Sequence, residues 1–309
     1  MTVGSVTVHA PGKINLSLRC GRADERGYHR LATVFHAVDL VETITAERAD
    51  DLTVTMSGAG SEHLPVDGTN LVVRAARAIH ERAAVLGRPV GGSARIHVDK
   101  QVPVAGGMGG GSADAAGTLV ALNRLWGLEL GLHDLTVLAR DLGADVAFPL
   151  LGRTALGTEY GDVLEAVPAA GSWHWLLIEP GGGLSTPGIF RRFDELTAAA
   201  GRPVPEQPDA DSALLTALAD GDLHRVGALM DNDLQAAAFD ADPRLRALIA
   251  TARTAGALGA VVSGSGPTIA VLAVSGEHAV QLEQAILAGH DVAHTHRVRG
   301  GAAGAHVTA

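Results

Sequence analysis

The sequence predicts an α+β protein of two domains, and three observations carry that reading. In the first half, Ala94, Ile96 and Val98 alternate with Arg95, His97 and Asp99, the period of a half-buried strand. Ala115, Leu119, Leu122 and Trp126 then recur at helical spacing beyond a glycine run. In the second half the order helix, strand, strand, helix, strand suggests a split βαβ sandwich. Finally, 309 residues are long for one hydrophobic core. The boundary falls in the stretch Pro168–Ser172, giving domains 1–167 and 168–309, with residues 300–309 read as a frayed tail.

Val6 and Val8 open the first strand, Pro11-Gly12 bends or breaks it, and Ile14, Leu16, Leu18 and Cys20 resume an apolar face. Lys13, Asn15 and Ser17 share the opposite face, which suits either solvent or the floor of a cleft. Asp24-Glu25-Arg26-Gly27 is a charged turn presenting Tyr28 and His29, in a chain with only 3% aromatic residues. Thr33–Asp39, Glu42–Glu47 and Leu52–Met56 read as strands, and Asn70-Leu71 opens a helix. A helix at His133–Leu142 breaks at Gly143 and leaves Asp145 at its end, placed to act as acid or base or simply to cap a turn. Trp173–Ile178 is a buried strand, and the Gly-, Ser- and Pro-rich loop Pro180–Pro187 leads to Phe190. Helices at Asp211–Leu218 and Leu223–Met230 follow, then a helical face at Leu245, Leu248, Ile249 and Ala252. A strand at Thr268–Val274, a helix at Glu277–Leu287 and a strand near His296–Val298 finish the pattern.

Composition excludes several functions. A 47% hydrophobic, 19% charged chain with no apolar run of membrane length is expected to be soluble and globular. Met1–Val8 has neither the basic nor the apolar region of a signal peptide, and the single cysteine, Cys20, leaves no disulfide framework. The cytoplasm is the expected compartment. A net charge of −10 argues against a nucleic-acid partner but permits a nucleotide held at a local positive site. His290, His294 and His296 read as polar surface, because no carboxylate pattern accompanies them.

The chemistry gathers around Pro103, Val104, Ala105, Gly106, Gly107, Met108, Gly109, Gly110, Gly111, Ser112 and Ala113. Glycines let backbone N–H groups approach an anion, and a helix start adds unpaired donors and a positive dipole end. Ser112 is placed to cap that helix. The stretch lacks the lysine of a P-loop after Gly111 and the third glycine of a dinucleotide fingerprint, where Ser112 stands. It is a phosphate loop of another kind. Only two of the 24 basic residues are lysine, Lys13 and Lys100, which suggests sites that want a compact ammonium.

With these residues in view, the chain resembles the GHMP kinase superfamily of small-molecule kinases. Pro11-Gly-Lys-Ile-Asn-Leu, the loop from Pro103 to Ala113, and Ser263-Gly-Ser-Gly-Pro match in order. Gly27-Tyr28-His29, Thr33-Val34-Phe35, Asn70-Leu71, Val102-Pro103, Leu142–Val146, Ser185-Thr186-Pro187 with Phe190, and Asn232-Asp233-Leu234 point to the branch acting on a cytidine-diphosphate-linked polyol. Gly12 and Met108 depart mildly from that pattern. The resemblance implies a ribosomal-protein-S5-like N-terminal domain, a ferredoxin-like C-terminal domain and phosphoryl transfer from ATP, with Mg²⁺ and unassigned metal ligands. It implies Lys13 and Asp145 as the catalytic pair and Asn15 as a substrate-orienting group. Tyr28 and Phe190 would sandwich the cytosine while His29 bonds its edge. Thr186, Gly264, Ser265 and Gly266 would join the substrate side, and Asn70, Leu71 and Lys100 the adenosine side. Alternatives are a homoserine- or mevalonate-type kinase, against which Tyr28, His29 and Phe190 weigh, and a catalytically silent nucleotide binder, against which Lys13 and Asp145 weigh. No obligate protein partner is implied.

Overall fold

A computed structural model describes residues 4–58, 60–104 and 106–308. Two long antiparallel strands, β1 (Ser5–Ala23) and β2 (His29–Ala49), run through the first half. Pro11-Gly12 bends β1 and does not break it. The register shifts there and again at Asn15/Ser17, so extra residues are absorbed as bulges while pairing continues on either side. In the same way β2 joins the two short strands read at Thr33–Asp39 and Glu42–Glu47.

The half continues with β3 (Thr53–Gly58), α1 (Leu71–Val85), β4 (Ser93–Lys100), α2 (Gly110–Trp126), α3 (Leu132–Leu142), α4 (Ala147–Leu151), β5 (Thr154–Thr158) and β6 (Val163–Ala166). β2 lies between β1 and β4, with β3 parallel to β4, while β5 pairs another reach of β2 and carries β6. The helices cover one face of this sheet. Ile79, Leu119 and Leu122 meet Val8, Ile44, Ile96 and Val98 in one core, each such side chain contributing about 1.5–3 kcal/mol on burial.

The second half holds β7 (His174–Glu179), α5 (Thr186–Ala199), α6 (Ser212–Asp220), α7 (Leu223–Leu229), β8 (Asp231–Asn232), α8 (Gln235–Ala241), α9 (Arg244–Thr254), β9 (Gly259–Val262), β10 (Ile269–Ala273), α10 (Gly276–Gly289) and β11 (His294–Arg299). Its four-stranded antiparallel sheet has the order β11-β7-β10-β9, the split βαβ topology. Alternation along β7 gives the sheet two buried faces. Leu176 and Ile178 pack with Leu248 and Leu282 under the helices, whereas Trp175 and Leu177 share a core with Ile14, Leu16 and Val34 of the first half. That shared core and the parallel pairing of β8 with β1 fix the two sheets together, with a cleft along their junction.

Residues 300–308 correct the expectation of a frayed tail. They return to the first half, where β12 (His306–Val307) pairs antiparallel with β1, and Gly300 and Ala303 bridge to Val38 and Gly152. Arg153 N donates to Ala302 O and Ala305 N to Pro149 O, both at 2.7 Å. Main-chain bonds to distant elements order this segment, and its Gly- and Ala-rich side chains carry no pattern announcing them. Ala309 lies outside the described residues. Among the described residues no helix is long and apolar enough to cross a membrane.

Candidate active site

Strand β1 sends alternate residues to opposite faces, and both faces are covered. Ile14, Leu16 and Leu18 enter apolar cores, while Lys13, Asn15 and Ser17 are buried too, the first two lining the cleft. The polar face is the cleft floor. Lys13 Nζ donates to Asn15 Oδ1 (2.8 Å) and to Gly107 O (2.9 Å), and lies 3.6 Å from Asp145 Oδ2. An ammonium has three protons, so two anchors leave one for the carboxylate. Asn15 Nδ2 in turn donates to Thr33 Oγ1 (2.7 Å), whose hydroxyl donates to Ser17 O, so neighbouring strands set the rotamers before any ligand arrives.

Asp145 sits in the single tight turn Ala144–Val146 between α3 and α4, where Gly143 in extended backbone ends the helix. Its side chain is 41% exposed, whereas that of Lys13 is 5% exposed. The pair therefore joins a fixed cation to an accessible carboxylate.

The glycine run proves to be the helix start itself. Helix α2 begins at Gly110, with Gly109 at the cap position in left-handed backbone (φ 72°) and no side-chain cap. Ser112 is thus a residue of the first turn and not the expected cap. The first bond of the turn runs from Ala113 N to Gly109 O (2.9 Å), so helix geometry gives the N–H groups of Gly110, Gly111 and Ser112 no intrahelical acceptor. Gly107 explains its own residue type: φ is +81°, and a Cβ would run into the Ser263 carbonyl oxygen. This close approach docks the loop on Ser263–Pro267. Ser263 Oγ donates to Gly107 O (3.2 Å), and Thr268 N donates to Gly106 O (3.2 Å). Asn232 holds the same segment from behind, donating to Val262 O and Gly264 O.

The remaining loop residues divide sharply. Met108 and Ala113 are buried in the core, Pro103 is half-buried and Val104 is exposed, while Ala105 lies outside the described residues.

The adenosine-side expectations need correction for Lys100. Its ammonium is buried between Glu42 and Asp114, 2.7 Å from Asp114 Oδ2, beneath the Gly110 backbone. It ties β4, β2 and α2 together under the loop instead of reaching into the cleft. Burial, with Asp114 nearby, pushes the Glu42 carboxyl up to about 7, and burial raises that of Asp114 as well. Asn70 caps α1, accepting from Val72 N (2.8 Å) while donating to Pro65 O (2.6 Å), and Leu71 lies against Gly111. Both stand beside the loop.

From Lys13 and Asp145 the cleft widens into a cavity of about 750 Å³ whose walls include Gly107, Gly109, Thr186, Gly264 and Ser265. Gly266 packs behind, against Val262 and Leu184. At the far end stand Tyr28, His29, Phe190 and Tyr160. Tyr28 is 63% exposed and meets Tyr160 edge to face at 6.2 Å, and the His29 ring stacks on Phe190 at 4.8 Å. The expected sandwich is not closed: Tyr28 and Phe190 each lean on another ring. Arg26 and Asp24 brace the turn, with Arg26 Nη2 donating to Tyr160 OH (2.6 Å) and Tyr28 N to Asp24 Oδ1 (2.9 Å). That backbone bond, aided by Tyr160 and Arg26, holds the Asp24 carboxyl well below the usual carboxylate range.

Sequence reading missed Tyr160, Arg26 and Asp194. Tyr160 is one of only two tyrosines, a signal of the kind that singled out Tyr28. Asp194 had a signal only in hindsight: on α5 it lies one turn beyond Phe190.

A buried lysine beside an accessible carboxylate, at the mouth of a glycine-started helix, is the equipment of a small-molecule kinase. The family comparisons agree on that class. The N-terminal domain model of the GHMP kinases matches residues 70–153, and the GHMP kinase C-terminal model matches residues 214–290. A 4-diphosphocytidyl-2-C-methyl-D-erythritol kinase of Mycolicibacterium smegmatis is 46% identical over 308 residues, covering 99% of this chain and 94% of that protein. One of Thermobifida fusca is 45% identical, with 98% of each covered. The chain belongs to the 4-diphosphocytidyl-2-C-methyl-D-erythritol kinase family.

Among solved structures, a 4-(cytidine 5′-diphospho)-2C-methyl-D-erythritol kinase matches at 31% identity and TM-score 0.74, covering 96% of this chain and 99% of that one. A homoserine kinase from Cytophaga hutchinsonii matches at TM-score 0.75 but only 21% identity, over 100% of this chain and 98% of its own. The fold is therefore common to kinases of different acceptors. Sequence identity separates them.

Proposed function

We propose that the protein transfers the γ-phosphoryl group of ATP to the 2-hydroxyl of 4-diphosphocytidyl-2-C-methyl-D-erythritol. The products are the 2-phosphate and ADP, in the non-mevalonate route to isoprenoid precursors. The observation that carries this reading is the continuity of the cavity. One space of about 750 Å³ is lined by the loop glycines, by Lys13 and Asp145 and by the aromatic group, room for a reacting polyol and a remote base. A homoserine- or mevalonate-type acceptor has no base to occupy that end.

In this reading the N–H groups at the start of α2 cradle the phosphates, with the helix dipole behind them. Asp145 accepts the proton of the attacking hydroxyl, whose oxygen bonds to the γ-phosphorus as the bond to the ADP oxygen breaks. Such a positioned base contributes about 10²–10⁴-fold. Lys13, fixed by Gly107 O and Asn15, orients the carboxylate and balances charge on the transferred group. Tyr28 and Phe190 stack the cytosine, each base–aromatic stack being worth about 1–3 kcal/mol in nucleic-acid proteins.

The donor set beside the loop suits a Mg²⁺ held chiefly by the triphosphate. Asp145 and the Ser112 hydroxyl are at hand, whereas Glu42 and Asp114 face Lys100. Mg²⁺ keeps several waters and pairs with substrate phosphates, so it enters as part of the nucleotide substrate and neutralises charge there. The reading places the protein in the cytoplasm, working on small molecules without a nucleic-acid partner.

ADP release with Mg-ATP and the cytidylated acceptor, run beside mevalonate and homoserine, tests the proposal. Turnover is expected for the cytidylated acceptor alone. Faster turnover of either competitor would sink it.

A further inference from the structure

Helix α5 grips His29 from one side with residues a turn apart. Phe190 stacks on the imidazole face, Phe193 meets its edge at 6.1 Å, and Asp194 Oδ1 lies 2.9 Å from Nε2. The imidazole is 4% exposed, and among the described residues Nδ1 has no protein partner. We infer that Asp194 is a specificity-determining positioning residue, which fixes the His29 tautomer so that the cavity accepts a base bearing an exocyclic amino group and rejects one bearing a carbonyl there.

The chemistry follows from the two ring nitrogens. A carboxylate only accepts, so the nitrogen facing Asp194 carries the proton, and the neutral ring then leaves Nδ1 a bare acceptor. Cytosine offers an N4 amino group that donates to such an atom, whereas a 4-keto pyrimidine such as uracil sets lone pair against lone pair. Rejection of the wrong base is thus built as an unpairable contact, which discriminates more sharply than a missing attraction. The stack on Phe190 resists turning of the ring, which would carry Nε2 away from Asp194 Oδ1. Asp194 itself touches neither the base nor the reacting atoms in this scheme, and it acts only through His29.

The inference rests on the proposed cytidylated substrate, and its test separates the two. Steady-state kinetics with the cytidine-linked acceptor and its uridine-linked counterpart are measured for the wild-type protein, Asp194→Ala and Asp194→Asn. Imidazole ¹⁵N NMR reads the His29 tautomer directly. In the wild type we expect the Nε2–H form. In Asp194→Ala the cytidine-to-uridine ratio of kcat/KM should fall about tenfold or more, the discrimination one base-edge hydrogen bond supplies. That fall should lie chiefly in KM for the cytidylated acceptor, with KM for ATP unchanged. Asp194→Asn keeps an oxygen able to accept from Nε2–H and should restore most of the ratio. An Nδ1–H wild-type ring, an unchanged ratio in Asp194→Ala, or an equal loss of kcat/KM for both acceptors would overturn the inference while leaving the kinase reading intact. Failure of the wild type to use the cytidylated acceptor would instead overturn the kinase reading, and this inference with it.

Discussion

At the scale of single residues, Lys13 and Asp145 differ in exposure, as the proposed division of labour between them requires. The lysine is held by Asn15 Oδ1 and Gly107 O, so its ammonium has one preferred place, while the carboxylate 3.6 Å away remains open to the cavity. Asp145→Asn preserves shape and removes the proposed base. Turnover should fall about 10²–10⁴-fold with nucleotide affinity retained, checked by ADP release alongside equilibrium binding of an ATP analogue. Tyr28→Ala deletes an exposed ring and should chiefly raise KM for the cytidylated acceptor, with protein stability nearly unchanged, because 63% of that residue is already in solvent. That Lys13 and Asp145 would meet was legible because each stands in a motif with a chemical reason, and the fold brings them within 3.6 Å. Lys100 was misread for the same reason in reverse. A rare lysine beside a phosphate loop looks like a ligand contact, and no local pattern reveals that Glu42, far back in the chain, waits to pair with it.

At the scale of elements, the loop and the start of α2 are one object resting on the buried Lys100, Glu42 and Asp114 groups. Lys100→Met would leave two carboxylates buried without their cation, and urea unfolding should show a loss of about 3–5 kcal/mol. The Glu42 carboxyl has a folded-state value of about 7 against an ordinary 4.5. A carboxyl raised on folding stabilises fully below its unfolded value and less as pH climbs through the folded one. Its contribution should therefore decline between about pH 4.5 and 7. Melting temperature followed across that window should show the decline in the wild type and a flatter profile in Glu42→Gln. Gly107→Ala attacks the same object from above, because both the left-handed backbone and the Ser263 carbonyl resist a Cβ. The expected result is a strained loop, about 1–3 kcal/mol less stable, with a raised KM for ATP. Strand, loop and helix were readable from periodicity and glycine content. The helix start was not, since Ser112 is the better capping residue and only the backbone shows that Gly109 takes the place.

At the scale of the whole molecule, function depends on two sheets held at a fixed junction. Trp175 and Leu177 packed against Ile14 and Leu16, β8 on β1, and the returning segment that ends in β12 all cross it. The α+β class and the order of elements in each half were legible because every element carries its own hydrophobic period. The crossings were not, because a long-range pairing such as Val8 with Val307 leaves no mark in either local sequence. The aromatic end of the cavity was partly legible: Tyr28, His29 and Phe190 come from segments already marked by motif, whereas Tyr160 and Asp194 join them only through the fold.

The central claim is that this one cavity phosphorylates a cytidylated polyol. Its most direct test is competition in a single vessel, with γ-labelled Mg-ATP, the purified protein, and 4-diphosphocytidyl-2-C-methyl-D-erythritol, mevalonate and homoserine together. The account predicts label in one product, a cytidylated phosphate monoester with phosphorus on the 2-oxygen and its diphosphate bridge intact. Label in phosphomevalonate or phosphohomoserine, or at another hydroxyl of the cytidylated acceptor, would contradict it.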